Sequence, residues 1–131
     1  MPSYPQGAFF IARVVTAIVL IAHGLDKWGD TMATIERFQA FGFSPLVAYV
    51  ISLVEIIAGF MLLVGIFVRL SAALLGGTML GATVVQSANG LIGGMELPLA
   101  LFGLCLIVFV AGSTKWALYS TFQRWGVRRT N

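Results

Sequence analysis

The stretch Pro45 to Arg69, PLVAYVISLVEIIAGFMLLVGIFVR, decides how the rest of the chain is read. It is apolar except for one acid, Glu55, near its middle and one base, Arg69, at its close. At ~1.5 Å of rise per residue such a run crosses a hydrocarbon layer of ~30 Å, which predicts a transmembrane helix. A carboxylate at that depth is not expected to face lipid, because inserting it costs roughly 2.5 to 3.5 kcal/mol even on the lenient biological scale. At ~100° per residue, Glu55 shares its side of the helix with Ala48, Ser52, Gly59 and Leu62, whereas Val50, Ile57, Phe60 and Val64 lie elsewhere. Three of those four companions are small and let another helix come close, so Glu55 is predicted to point into a helix bundle.

Composition agrees with a membrane protein. The 131 residues are 59% hydrophobic and only 10% charged, against ~25% charged in soluble domains. Mean hydropathy is +0.95. A net charge of +3 invites thought of nucleic acid, but the bases form no long stripe and several sit beside apolar runs, so no nucleic-acid partner is expected. Cys105 is the single cysteine, which leaves no internal disulfide and argues against a self-contained thiol-redox enzyme. Met1 to Gln6 carries two prolines and no Lys or Arg, unlike the start of a secretory signal peptide.

These features predict an all-α fold, one integral membrane domain over 1–131. Its four transmembrane helices at about 7–25, 45–68, 70–88 and 96–112 form a bundle, with a basic tail over 113–131. In the first span Arg13, Thr16, His23 and Lys27 fall on one face. Between the first two spans Met32, Ile35 and Phe38 predict a short interfacial helix, with Asp30 or Thr31 as its cap and Gly42 as its stop. The third span is rich in small residues (Ala72, Ala73, Gly76, Gly77, Gly81, Ala82), which predicts close packing on its neighbours. Cys105 reads as apolar packing, and Trp116, Tyr119 and Trp125 of the tail as interfacial anchors. Four spans put both termini on the side of Arg69, Lys115, Arg124, Arg128 and Arg129, so both termini are expected in the cytoplasm.

Depth turns the scattered polar residues into a candidate site. Counted from the terminal side, His23 is ~22 Å, Glu55 ~19 Å and Gln86 ~24 Å along their helices. Glu96 and Lys27 close the same region from the far side, and Arg13 and Arg69 lie nearer the terminal face. A histidine beside a carboxylate can pass protons near neutral pH, and a polar pocket among apolar helices suits a quinone, whose carbonyls need donors. Glu55 and His23 are therefore the expected proton-handling pair, with Arg13, Lys27, Gln86 and Glu96 as binding residues. No HxxE or HxxxH spacing is present, and no metal site is expected. Plainer readings compete with each. Glu55 can be paired structurally with Arg13 or His23, Arg13 and Arg69 can snorkel or set topology, and Glu96 can answer a helix dipole. Gln86 can hydrogen-bond between helices and His23 can do so at a helix end.

Arg13 with His23, Gly24 and Lys27, then Glu55 with Gly59, Gly65 and Arg69, then Asn89 and Gly90 with Glu96 and Pro98 resemble the DoxX family of small four-helix membrane proteins. The resemblance covers nearly the whole chain and implies a bacterial inner-membrane protein. Relatives are connected with a thiosulfate:quinone oxidoreductase and with membrane complexes handling thiols or oxidative stress. The implied role is the membrane subunit of a redox complex, acting with a partner protein and offering a quinone-sized polar pocket. A transporter for a small solute, ion or metal and a structural anchor for a partner protein are the alternatives, and a second copy of the chain is a further candidate partner. Two positions depart from the pattern: Gln86 stands where many members have His, and Tyr119 where the tail often has Asp. A glutamine cannot titrate, which counts against a proton relay through that position.

Overall fold

The computed structural model describes residues 4–112. Its helices are α1 (Tyr4–Gly29), α2 (Thr31–Ala40), α3 (Pro45–Val64), α4 (Val68–Gln86) and α5 (Glu96–Ala111), and no strand occurs among the described residues. Four segments are long and apolar enough to cross a membrane: Pro5–Gly29, Pro45–Val64, Val68–Asn89 and Leu91–Ala111. The protein is an all-α bundle of four membrane-crossing helices with α2 as a short extra helix. The tail residues Trp116, Tyr119 and Trp125 lie outside the described residues.

Helix α1 packs most extensively on α3 and α4 on α5, while α3 with α4 and α1 with α5 complete a ring of antiparallel neighbours. The core they enclose is built from Ala17, Leu20, Ala58, Leu62, Val68, Ala72, Leu75, Leu101, Cys105 and Val108. Side chains such as Ile18, Ile57, Phe60, Leu74 and Val110 stand exposed. In a membrane-crossing bundle these outward apolar groups meet lipid tails, so hydrophobic burial does not draw the helices together and close packing must. Two glycines provide it. A Cβ at Gly24 of α1 would lie 2.6 Å from Ile56 Cγ1 and 3.1 Å from the Ser52 carbonyl oxygen, and a Cβ at Gly59 of α3 would lie 2.7 Å from Ile21 Cγ1. Each helix thus receives the other's isoleucine, which fixes their register.

The third span differs from its expected packing. Ala72 and Gly76 face the bundle, but Ala73, Gly77 and Gly81 are exposed, with nothing within 4 Å of where a Cβ would stand at either glycine. Small residues there line the lipid face.

Bounds also shift from those expected. Helix α1 runs past Leu25 to Gly29, carrying Asp26 and Lys27 in its last turns. Helix α3 stops at Val64 because Gly65 takes a left-handed conformation (φ 86°) and its N–H donates to the Met61 carbonyl at 2.9 Å. Phe67, also at positive φ (47°), completes the corner into α4. Helix α2 begins on the Asp30 cap, whose Oδ1 accepts from the Ala33 N–H at 3.1 Å, and Gly42 (φ 85°) turns the chain after it. Of the expected apolar face of α2, Met32 points outward at 70% exposure, and the residue buried is Thr34.

Candidate functional site

On α3 the buried residues are Ala48, Ser52, Glu55, Ala58, Gly59 and Leu62, so Glu55 looks into the bundle as the wheel predicts. It is 1% exposed and lies ~15 Å along α3 from Pro45. Its partner is neither Arg13 nor His23. The Lys27 ammonium donates to Oε1 and Oε2 of Glu55, each at 2.6 Å. Helix direction explains how the two meet. Cβ atoms tilt toward a helix's N-terminus, so in antiparallel α1 and α3 the Lys27 side chain leans toward mid-bundle and Glu55 leans back toward the α2 end.

Around Lys27 the chain builds a polar corner. Thr34 Oγ1 donates to the Lys27 carbonyl (3.2 Å) and the Asp30 carbonyl (2.9 Å), tying α2 to the end of α1. Ser52 Oγ donates to the Ala48 carbonyl at 2.7 Å, and the Trp28 ring meets the Tyr49 ring at 5.6 Å between centroids. Lys27, Trp28, Thr31, Thr34, Ile35, Ala48, Tyr49 and Ser52 line a cavity of about 10 Å³, room for one water. A quinone ring does not fit in it. Thr31, Thr34 and Tyr49 were not among the residues expected here, and only the Asp30 cap signal hinted that α2 would fold back over Lys27.

The remaining candidates are spread. Gly24 meets Ser52 and Ile56, which puts neighbouring His23 at the height of Glu55, as the depth count expects. His23 is half-buried and makes no hydrogen bond or ion pair among the described residues. Gln86 is half-buried at the last turn of α4. Glu96 is exposed at the start of α5, where Oε1 accepts from the Gly93 N–H at 3.0 Å and closes its own turn. Arg69 is exposed and lies against Gly112. Arg13 does not snorkel: it is 1% exposed, with its guanidinium 5.4 Å from the Phe10 ring centroid. No three His, Cys, Asp or Glu side chains converge as metal ligands would among the described residues.

A family model described as DoxX matches residues 8–88. The chain belongs to the DoxX family. A curated relative, "Putative oxidoreductase CatD" of Bacillus subtilis (strain 168), is 30% identical over 109 residues, covering 82% of this chain and 81% of that one. No solved structure matches at a comparable level. The DoxX match runs from α1 to the turn after α4 and so takes in both Lys27 and Glu55, whereas α5 with Glu96 lies beyond it.

Proposed function

We propose that this DoxX protein is the membrane subunit of an oxidoreductase complex in the bacterial inner membrane, both termini cytoplasmic, with Lys27 and Glu55 handling protons that accompany electron transfer. The observation that carries the reading is the buried ion pair beside a water-sized cavity. A proton held between an ammonium and a carboxylate can move to a single water in that cavity and leave toward the α2 end, past Thr31 and Thr34. The CatD relative's name supports a redox setting, and the excess of Lys and Arg on the terminal side supports the orientation. The acceptor we propose is a quinone met outside the bundle, since the cavity beside the pair is too small for it. The partner protein supplies the donor site: two thiols oxidised to a disulfide release two electrons and two protons, which reduction of a quinone to a quinol takes up.

The complex purified in mild detergent, with whatever protein accompanies it, should reduce a soluble ubiquinone or menaquinone analogue with a thiol or thiosulfate as donor. Glu55→Gln should slow that reaction about a hundredfold or more, the usual scale of a lost proton-transfer group. Donor-dependent reduction no faster than in membranes lacking the chain would overturn the redox reading. A second reading, a structural anchor in which the pair only staples α1 to α3, is favoured by the two-pronged 2.6 Å geometry. It predicts full complex activity in any Glu55 variant that still folds.

A further inference from the structure

Among the described residues four buried side-chain polar atoms lack a hydrogen-bond partner: Gln6 Oε1, Arg13 Nε, Arg13 Nη1 and Ser71 Oγ. All belong to the end of the bundle away from α2. Gln6 and Arg13 lie two turns apart on one face of α1. The register set at Gly59 and Ala17 puts Arg13, one turn before Ala17, beside the last turn of α3 and the corner Gly65 to Phe67. Ser71 stands in the first turn of α4, immediately after that corner.

Elsewhere in the fold, buried or half-buried hydroxyls find a backbone carbonyl to donate to. Thr16 donates to the Ala12 carbonyl (2.6 Å), Ser52 to Ala48 (2.7 Å) and Thr83 to Met79 (2.8 Å). Ser71, fully buried, does not. The N-cap of α4, Phe67, also provides no side-chain hydrogen bond to the free N–H groups of that helix's first turn.

The charge balance points the same way. The chain has five acids, Asp26, Asp30, Glu36, Glu55 and Glu96. Four lie in the last turns of α1, in α2 or its cap, or at the start of α5, all at the α2 end, and the fifth is held by Lys27. No carboxylate side chain of this chain therefore stands at the end where Arg13 is buried. A buried guanidinium left without a counter-charge is strongly unfavourable, and arginine is the side chain best shaped to receive a phosphate or carboxylate.

We propose that this end of the bundle is a binding site for a phosphate-type oxyanion, with Arg13 as its principal ligand and Ser71 Oγ as a second donor. Arg69, in the first turn of α4, adds a cation at the rim. The corner between α3 and α4 marks the end of two membrane-crossing helices, so the site lies at the depth of lipid headgroups. There an anionic lipid's phosphodiester is the abundant source of this chemistry, and free phosphate is the other.

The full chain in zwitterionic detergent, probed by native mass spectrometry with phosphatidylglycerol, phosphatidylcholine and inorganic phosphate in parallel, tests the site. Phosphatidylglycerol should be retained about tenfold more tightly than phosphatidylcholine, the scale of one charge-assisted hydrogen bond. Arg13→Gln should abolish that preference, Arg13→Lys should keep part of it, and Ser71→Ala should weaken it by a smaller factor. Arg37→Gln, in α2 at the other end, should leave it intact. Binding of inorganic phosphate that Arg13→Gln removes, with no lipid preference, would support the site and assign it to the free ion. If Arg13→Gln fails to fold, Arg13→Lys and Ser71→Ala decide. Equal retention of all probes by the unmodified chain, or a preference that survives the Arg13 and Ser71 substitutions, would overturn the proposal.

Discussion

At the α2 end of the bundle a cation, Lys27, meets both oxygens of Glu55 at 2.6 Å; at the opposite end Arg13, more deeply buried than Lys27, meets no carboxylate among the described residues. The two ends share one scaffold. They differ in where the counter-charge comes from: within the chain at one end, from outside it at the other. A membrane bundle has no bulk water in its interior to solvate either cation, so each charge must be answered by a specific partner.

Breaking the satisfied end should give the largest effect. Glu55→Ala or Lys27→Ala leaves one buried charge alone and should cost about 3 to 5 kcal/mol in reversible unfolding from mixed micelles. Replacing both, Lys27→Met with Glu55→Leu, should recover most of that loss, which would show that the cost lies in the orphaned charge and not in the missing attraction. Next in size is the contact that sets the register between α1 and α3. Gly24→Ala should cost about 1 to 3 kcal/mol by the same assay, because backbone atoms of Ser52 and Ile56 lie 3.1 and 3.2 Å from the new Cβ. Gly59→Ala should cost less, since the tightest neighbour there is a side chain, Ile21, and the nearest backbone atom is 3.5 Å away.

The opposite end should respond with the opposite sign. In lipid-stripped zwitterionic detergent, Arg13→Met removes a buried charge that has no partner and should raise stability by about 1 kcal/mol, read as a higher Tm. A large loss instead would mean that the guanidinium is answered from within the chain, and the contrast between the two ends would fail. Gly77→Ala, on the lipid face with open space around it, should change Tm by less than the equivalent of about 0.5 kcal/mol.

Much of the bundle was legible because helical periodicity is a local property. The face of α3 carrying Ala48, Ser52, Glu55, Gly59 and Leu62 follows from ~100° per residue, and the start of α2 from the Asp30 cap, whereas the stop of α3 before Gly65 is hidden because the apolar run continues to Val68. The identity of the Glu55 partner was not legible. Equal height singled out His23, and height is only half of the geometry; the direction in which a side chain leans brings Lys27, one turn farther along, back to the carboxylate. Small residues misled on α4 for a related reason. Ala73 and Gly77 permit close approach, but nothing local says whether a neighbour is there to use it.

The order of residues by itself determined that this is a four-span helical membrane protein with a carboxylate turned inward, since span length, hydropathy and helical phase are all written along one dimension. Only the tertiary structure decided that Lys27 holds that carboxylate, that α2 leaves one water's space beside the lysine, and that Arg13 is sealed in without an acid. Those depend on how far one helix slides against another, and packing of glycine against isoleucine sets that distance after the helices meet.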